Sequence, residues 1–270
     1  MPELPEEETV RRTLKNFVLH KTIDSIEVLY PRIIDGDVET FVTTLIHQSI
    51  CDIDRYGKYL IFILDHDAFI SHLRMEGKYN IKMKDEPYDK HDHIIFHMTD
   101  GTDLRYNDTR KFGRMQLVDK EHYREYPPLN RLGQEPMDAS FDYIYPRIHQ
   151  SHLPIKQLLL DQSIFTGIGN IYANEICFRM GMDPRTRGDR LSKKRILELI
   201  EVSSTILKDA IAQGGTTIHS FDANGIHGLF QVTLSVHAQT TCSKCKGSIK
   251  KITIAGRGTY YCPHCQKRRY

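Results

Sequence analysis

The chain opens Met1-Pro2-Glu3-Leu4-Pro5-Glu6-Glu7-Glu8. Proline is small enough at position 2 for the initiator methionine to be removed, which leaves a free secondary amine on Pro2. An α-amine has an ordinary pKa of about 7.7–8.0, so a useful fraction is neutral and nucleophilic near neutral pH. Attack of such an amine on a carbonyl-like carbon gives an iminium, by the logic of a lysine Schiff base. Glu3 stands beside it as a proton donor. Taken alone, the stretch equally fits ordinary helix-start chemistry, with Pro5 in the first turn and carboxylates behind it. Val10, Leu14, Phe17 and Val18 repeat on one face, which predicts a helix from Pro5 to about Leu19 that fixes Pro2 against the domain behind.

Beyond that helix the pattern changes. From about Thr22 to Asp119 short apolar or alternating runs recur, among them Ile23–Leu29, Tyr59–Leu64, Phe69–Leu73, Tyr79–Met83, His93–Met98 and Met115–Val118. Turn formers such as Asp35-Gly36, Gly57 and Asp100-Gly101 separate them, and strands at this spacing predict an antiparallel sandwich. Pro127-Pro128 and Gly133-Gln134-Glu135-Pro136 read as a linker. Helical periodicity follows over Ile155–Asp161 and Gly169–Met180. A long core helix then begins at Ser192 and stops at Gly214-Gly215. The turn Gly167-Ile168-Gly169-Asn170 places backbone N–H groups at a helix start, where a phosphate binds readily.

Cys242, Cys245, Cys262 and Cys265 have the C-x2-C…C-x2-C spacing of a tetrahedral zinc site, and four thiolates leave no open coordination position, so the one ion is structural. Cys51 and Cys177 read as inert core residues in apolar surroundings. The net charge is only +2, but residues 241–270 hold eight Lys/Arg and no Asp or Glu, leaving 29 basic and 35 acidic side chains elsewhere. That asymmetry marks a basic appendage for an anionic surface. No signal peptide or long apolar run is visible, which predicts a soluble intracellular protein. These readings predict an α+β multidomain chain. An N-terminal helix plus antiparallel β-sandwich spans 1–127, a helical domain 128–235, and a zinc-finger β-hairpin 236–270.

Several blocks along the chain resemble the bacterial formamidopyrimidine-DNA glycosylase (8-oxoguanine DNA glycosylase/AP lyase) family. They are Pro2-Glu3-Leu4-Pro5-Glu6, Gly57-Lys58-Tyr59-Leu60, Ser71-His72-Leu73-Arg74-Met75-Glu76-Gly77, Lys90-His91-Asp92-His93 and Asn107-Asp108-Thr109-Arg110-Lys111-Phe112-Gly113. Gly167-Ile168-Gly169-Asn170 and Ile254-Ala255-Gly256-Arg257-Gly258-Thr259 continue the match to the final cysteines. The resemblance implies a base-excision-repair enzyme acting on double-stranded damaged DNA. It would remove oxidised purines through a Pro2 Schiff base, followed by β- and δ-elimination. Glu3 and Lys58 would assist the chemistry. Met75, Arg110 and Phe112 would fill the space left by the flipped nucleotide, and His91, Lys156 and Asn170 would contact the DNA backbone. Arg257 would grip phosphates beside the lesion and support the second elimination. Without the resemblance, Lys58 reads as a surface lysine, Met75 and Phe112 as core or edge-strand residues, and His91 as a solvated loop histidine. The family also implies a helix–two-turn–helix around Asn170, a loop over Thr216–Leu229 that covers the base, a monomer clamped on duplex DNA, and a place at the nucleoid in the bacterial cytoplasm.

The sequence departs from the family pattern at defined points. Glu7 stands where valine is common; facing the pocket it raises the amine pKa, and facing solvent it merely suits the helix dipole. Thr109 replaces a frequent proline, which predicts a looser turn under Arg110. His149-Gln150-Ser151-His152 replaces a lysine-rich segment, and His237-Ala238-Gln239 gives a short lead-in to the zinc ribbon. Two alternatives follow. An endonuclease VIII-like glycosylase for oxidised pyrimidines is disfavoured by Leu4 and the His72-Leu73-Arg74-Met75 block. A non-catalytic damaged-DNA-binding paralogue is suggested by Glu7 and the lost basic residues.

Overall fold

A computed structural model describes residues 1–215 and 234–268; the Thr216–Leu229 loop expected to cover a base lies outside the described residues. The described chain forms two compact units, one over Met1–Asn130, the other over Arg131–Gly215 together with 234–268.

The first unit begins with helix α1 (Leu4–Val18), which places Val10, Leu14 and Val18 on a buried face. Two four-stranded antiparallel sheets follow. One contains β1 (Ile23–Val28), β5 (Lys78–Met83), β6 (Asp92–Met98) and β7 (Thr102–Asn107) in the order β1-β6-β7-β5. The other contains β2 (Ile50–Tyr56), β3 (Tyr59–Leu64), β4 (Ala68–His72) and β8 (Arg114–Val118) in chain order. A short helix, α2 (Val38–Leu45), capped by Asp37, adds Phe41 and Leu45 to the core. The two sheets meet through stacked rings: Phe62 on β3 lies 4.5 Å from Phe69 on β4, which lies 5.4 Å from Phe96 on β6. This is the expected helix plus sandwich, and α1 packs on β2, where Lys15 pairs with Asp52 at 2.5 Å.

Cys51 differs from expectation. A bulge between Ile50 and Asp52 turns it outward, where its thiol is exposed and lies 3.4 Å from an Asp65 carboxylate oxygen. Cys177 is buried as expected.

The second unit is helical: α3 (Phe141–His149), α4 (Ile155–Leu160), α5 (Asn170–Arg179) and α6 (Lys193–Ala212). Ser192 caps α6 by accepting from Arg195 N–H. The ribbon follows as an antiparallel hairpin, β9 (Lys250–Ile254) and β10 (Arg257–Tyr261). Its two-residue tip is Ala255-Gly256, both at positive φ (48° and 71°), as a primed hairpin turn requires. Arg257 therefore opens β10 opposite Ile254, beside the tip rather than on it. Among the described residues no helix is long and apolar enough to cross a membrane.

Candidate active site and metal centre

Pro2 and Glu3 are buried at the start of α1. Glu3 is the N-cap, and its backbone N–H donates to Glu6 Oε2 at 2.9 Å within a capping box. Two acids of the opening stretch thus have a local structural cause for their positions. The terminal amine, carried by Met1, is held below its ordinary pKa by burial. Glu3 and Glu6 oppose that shift, Lys58 reinforces it, and Glu76 opposes it. Three segments distant in sequence therefore address one amine: the helix start, the β2–β3 turn and the loop after β4. Lys58 is 5% exposed, immediately after Gly57 at φ 59°.

Glu7 resolves one of the two alternatives posed by the sequence: it does not face solvent. It is fully buried, and neither carboxylate oxygen has a hydrogen-bond partner. Burial pushes its pKa well above the carboxylate range; Arg55 opposes this, and Glu6 adds to it. Glu8 behaves oppositely. Burial alone would raise its pKa, but hydrogen bonds from Arg11, Arg12 and Arg55, at 2.7–3.1 Å, hold it down to about 2. Two neighbouring glutamates are thus shifted in opposite directions, because only Glu8 has arginines hydrogen-bonded to it.

Met75 lies in the loop after β4, and Arg110 and Phe112 in the loop between β7 and β8. Phe112 is 49% exposed, too much for a core residue, and the Arg110 guanidinium stacks 4.7 Å over its ring. The turn beneath is tied to Asp108. Asp108, fully buried, accepts from Arg110 N–H at 2.9 Å, Phe112 N–H at 2.8 Å and Gly113 N–H at 2.9 Å. Thr109 Oγ1 donates to Glu76. Asp108 stands inside the Asn107–Gly113 motif with no chemistry of its own to mark it; its sequence signal is that of an Asp two residues before a backbone N–H it can accept from. His91 is partly exposed, its backbone N–H on Asp89.

In the second unit the Gly167–Asn170 turn is held by Gln162, a residue sequence reading passed over. Gln162 accepts from Gly167 N–H at 3.0 Å and donates to Ile168 O at 2.9 Å. Asn170 opens α5, and its buried Oδ1 has no hydrogen-bond partner. Lys156 differs from the expected surface contact. It is fully buried, and its ammonium donates to Gly258 O at 3.0 Å and Thr259 Oγ1 at 2.7 Å, on the strand that carries Arg257. Of the histidines that replace a lysine-rich segment, partly buried His149 pairs through Nδ1 with Leu191 O at 3.1 Å, and exposed His152 through Nδ1 with Asp189 at 3.0 Å. The lead-in to the ribbon is anchored by another unforeseen residue. The Glu175 carboxylate accepts the backbone N–H groups of Ser235, Val236 and His237 at 2.8–3.0 Å. Burial pulls the His237 pKa down to about 4, so its neutral Nδ1 accepts from Asn174 Nδ2 at 2.7 Å.

The four cysteine sulfurs all lie within 4.8 Å of one another, with Cys242–Cys265 at 3.8 Å and Cys245–Cys262 at 3.5 Å. Four thiolates at a Zn–S distance of about 2.3 Å on a tetrahedron would be about 3.8 Å apart, so the cluster fits one zinc ion. Cys242 and Cys262 pack with Phe178 and Val236, which ties the cluster to α5.

Comparison with known proteins agrees with this geometry. The formamidopyrimidine-DNA glycosylase N-terminal domain matches residues 1–115, the H2TH domain of that enzyme residues 132–222, and the zinc finger found in FPG and IleRS residues 241–268. The formamidopyrimidine-DNA glycosylase of Lactobacillus helveticus is 45% identical over 272 residues, spanning 98% of this chain and 99% of the relative. Two Lactococcus lactis structures, Fpg with an abasic site containing DNA and the wild-type Fpg with a benzyl-Fapy-dG containing DNA, each superpose with a TM-score of 0.93 at 38% identity. They cover 98% and 99% of this chain, and all of the respective neighbour.

Proposed function

The chain belongs to the formamidopyrimidine-DNA glycosylase family, and from that premise we propose that it removes oxidised purines, 8-oxoguanine and formamidopyrimidines, from duplex DNA and then cleaves the abasic strand. The observation that carries this reading is the start of α1, where Pro2 and Glu3 are buried beside a partly buried terminal amine whose pKa also responds to Glu6, to buried Lys58 and to Glu76. Burial is what an amine nucleophile needs, because desolvation favours its neutral form. With Met1 attached the Pro2 nitrogen is an amide, so removal of Met1 is the activating step.

The target nucleotide must leave the stack before its C1′ can be reached. Met75, Arg110 and Phe112 suit the vacated space: an apolar wedge enters an unstacked step and a guanidinium hydrogen-bonds the orphaned base. The Pro2 nitrogen then bonds to C1′ as the bond to the base breaks, and Glu3 protonates the sugar oxygen as the ring opens. The resulting iminium acidifies the C2′ proton. Its loss expels the 3′ phosphate, and a second elimination expels the 5′ phosphate. Lys58 assists the eliminations, and Arg257 holds the flanking phosphates. His91 and Asn170 contact the DNA backbone, and Lys156 adds to that surface by seating the strand that bears Arg257. Zinc, when bound by the four cysteines, holds the ribbon's fold. On this reading 1–127 is the catalytic part, 128–235 the helical DNA-binding part and 236–270 the zinc finger, working as a monomer at the bacterial nucleoid.

A Pro2→Gly protein with Met1 removed tests the nucleophile. It should bind lesion DNA yet give much less borohydride-trapped adduct; undiminished trapping would exclude Pro2.

A further inference from the structure

The Asp108 carboxylate and the Thr109–Glu76 hydrogen bond join two loops that the reaction uses together. We propose that Asp108 is the positioning residue of the void-filling wedge. It presets the backbone that presents Arg110 and Phe112, while Thr109, through Glu76, locks that loop to the one bearing Met75. This inference rests on the role proposed above for those three side chains.

Asp108 is wholly buried, and its side chain takes three backbone N–H groups of the loop it precedes. Its own backbone is pinned on both sides: its N–H donates to His91 O at 3.0 Å, and its carbonyl lies 2.8 Å from His93 Nε2. With so many contacts on one residue, the loop's conformation is specified rather than sampled, although Lys111 within it has φ 58°. Beneath both loops stands Tyr106. Its hydroxyl donates to Asp108 Oδ2 at 3.3 Å, and a Cβ on either Gly77 or Gly113 would overlap that hydroxyl. Both glycines are therefore required for the two loops to rest on one phenol. Thr109 adds a contact to the neighbouring loop through its hydroxyl. The charge of the acceptor, Glu76, also acts on the pKa of the terminal amine, as the smallest of five influences. A preset wedge has an energetic purpose. Ordering loose side chains at the moment of insertion would be subtracted from binding, and preorganisation removes that cost.

The test compares wild type, Asp108→Asn and Thr109→Val on two duplexes, one with an intact 8-oxoguanine and one with a preformed abasic site. A 2-aminopurine beside the lesion reports unstacking. In Asp108→Asn the amide oxygen keeps the Oδ2 partners, while the N–H2 takes the Oδ1 position and leaves the Arg110 N–H without its acceptor. Excision of the intact base should fall by about tenfold or more, the scale of one buried donor left unpaired. Adduct formation at the abasic site, where the nucleotide is already unstacked, should fall far less. The aminopurine signal should fall with excision, and Thr109→Val should show a smaller loss in the same direction. Equal losses on both substrates, or wild-type excision and fluorescence in Asp108→Asn, would overturn the assignment. A wild-type signal in Thr109→Val would remove the latch. If wild type itself forms no adduct, the proposed function fails. The fluorescence comparison still decides the wedge, since unstacking needs no chemistry.

Discussion

Glu7 makes stability depend on pH in an unusual direction. Its folded-state pKa is raised by complete burial, and no hydrogen bond compensates either oxygen. Between the unfolded carboxylate pKa, 4.5, and the raised folded value, the native state keeps a proton that the unfolded chain has released. The native state then binds one proton more, so this group's contribution to stability falls as pH rises through that window. One proton corresponds to about 1.4 kcal/mol per pH unit. Glu7→Gln is isosteric and does not titrate, so it lacks this dependence while leaving the other titrating groups in place. Urea unfolding of both proteins from about pH 4.5 to about pH 7.5 should give equal stabilities at the acidic end. The variant's advantage should then grow by up to about 1.4 kcal/mol per unit until the folded Glu7 ionises. Across a chain this size that is a few degrees in Tm per pH unit, about 2–4 °C for each kcal/mol. A difference independent of pH, or a variant less stable throughout, would refute the buried, unpartnered carboxyl.

Two further outcomes are expected. Lys156→Met should leave Gly258 O and Thr259 Oγ1 without their donor. That should weaken affinity for lesion duplex by about 1–3 kcal/mol, read by titration of labelled DNA, and unchanged affinity would separate the lysine from hairpin placement. Chelating the metal should disorder the ribbon, with loss of dispersed amide signals from 241–268, and weaken DNA binding in parallel; full binding after verified metal loss would exclude the ribbon from the DNA surface.

Periodicity made much of this architecture legible. Helix α1, strands β1, β3 to β6 and β8, and helices α4 to α6 all fall on runs the sequence marks, and the cysteine spacing alone pointed to zinc. What escaped was structure whose polar residues are satisfied within the chain, by partners that spacing does not reveal. Strand β7 hides behind Asp103 and Arg105, both buried: the guanidinium bonds Asp103 at 2.8 Å and also reaches the carbonyls of Pro87 and Glu86. Strand β2 carries Asp52 and Asp54, paired with Lys15 and Tyr123 on segments distant in sequence. Helix α3 contains Pro146, which sequence rules read as a stop. The same limit applied at the site. Its named side chains were visible as motifs, whereas the residues that hold them, Asp108, Gln162 and Glu175, act on backbone groups that a sequence does not display.

The most direct measurement is borohydride trapping by protein confirmed to begin at Pro2, on duplexes carrying 8-oxoguanine opposite cytosine, an oxidised pyrimidine, or an abasic site. The account predicts a covalent adduct with the 8-oxoguanine duplex that is lost when Met1 is retained. Trapping with the oxidised pyrimidine alone would move the substrate class. Absence of adduct on every duplex, with DNA bound, would contradict an N-terminal proline nucleophile.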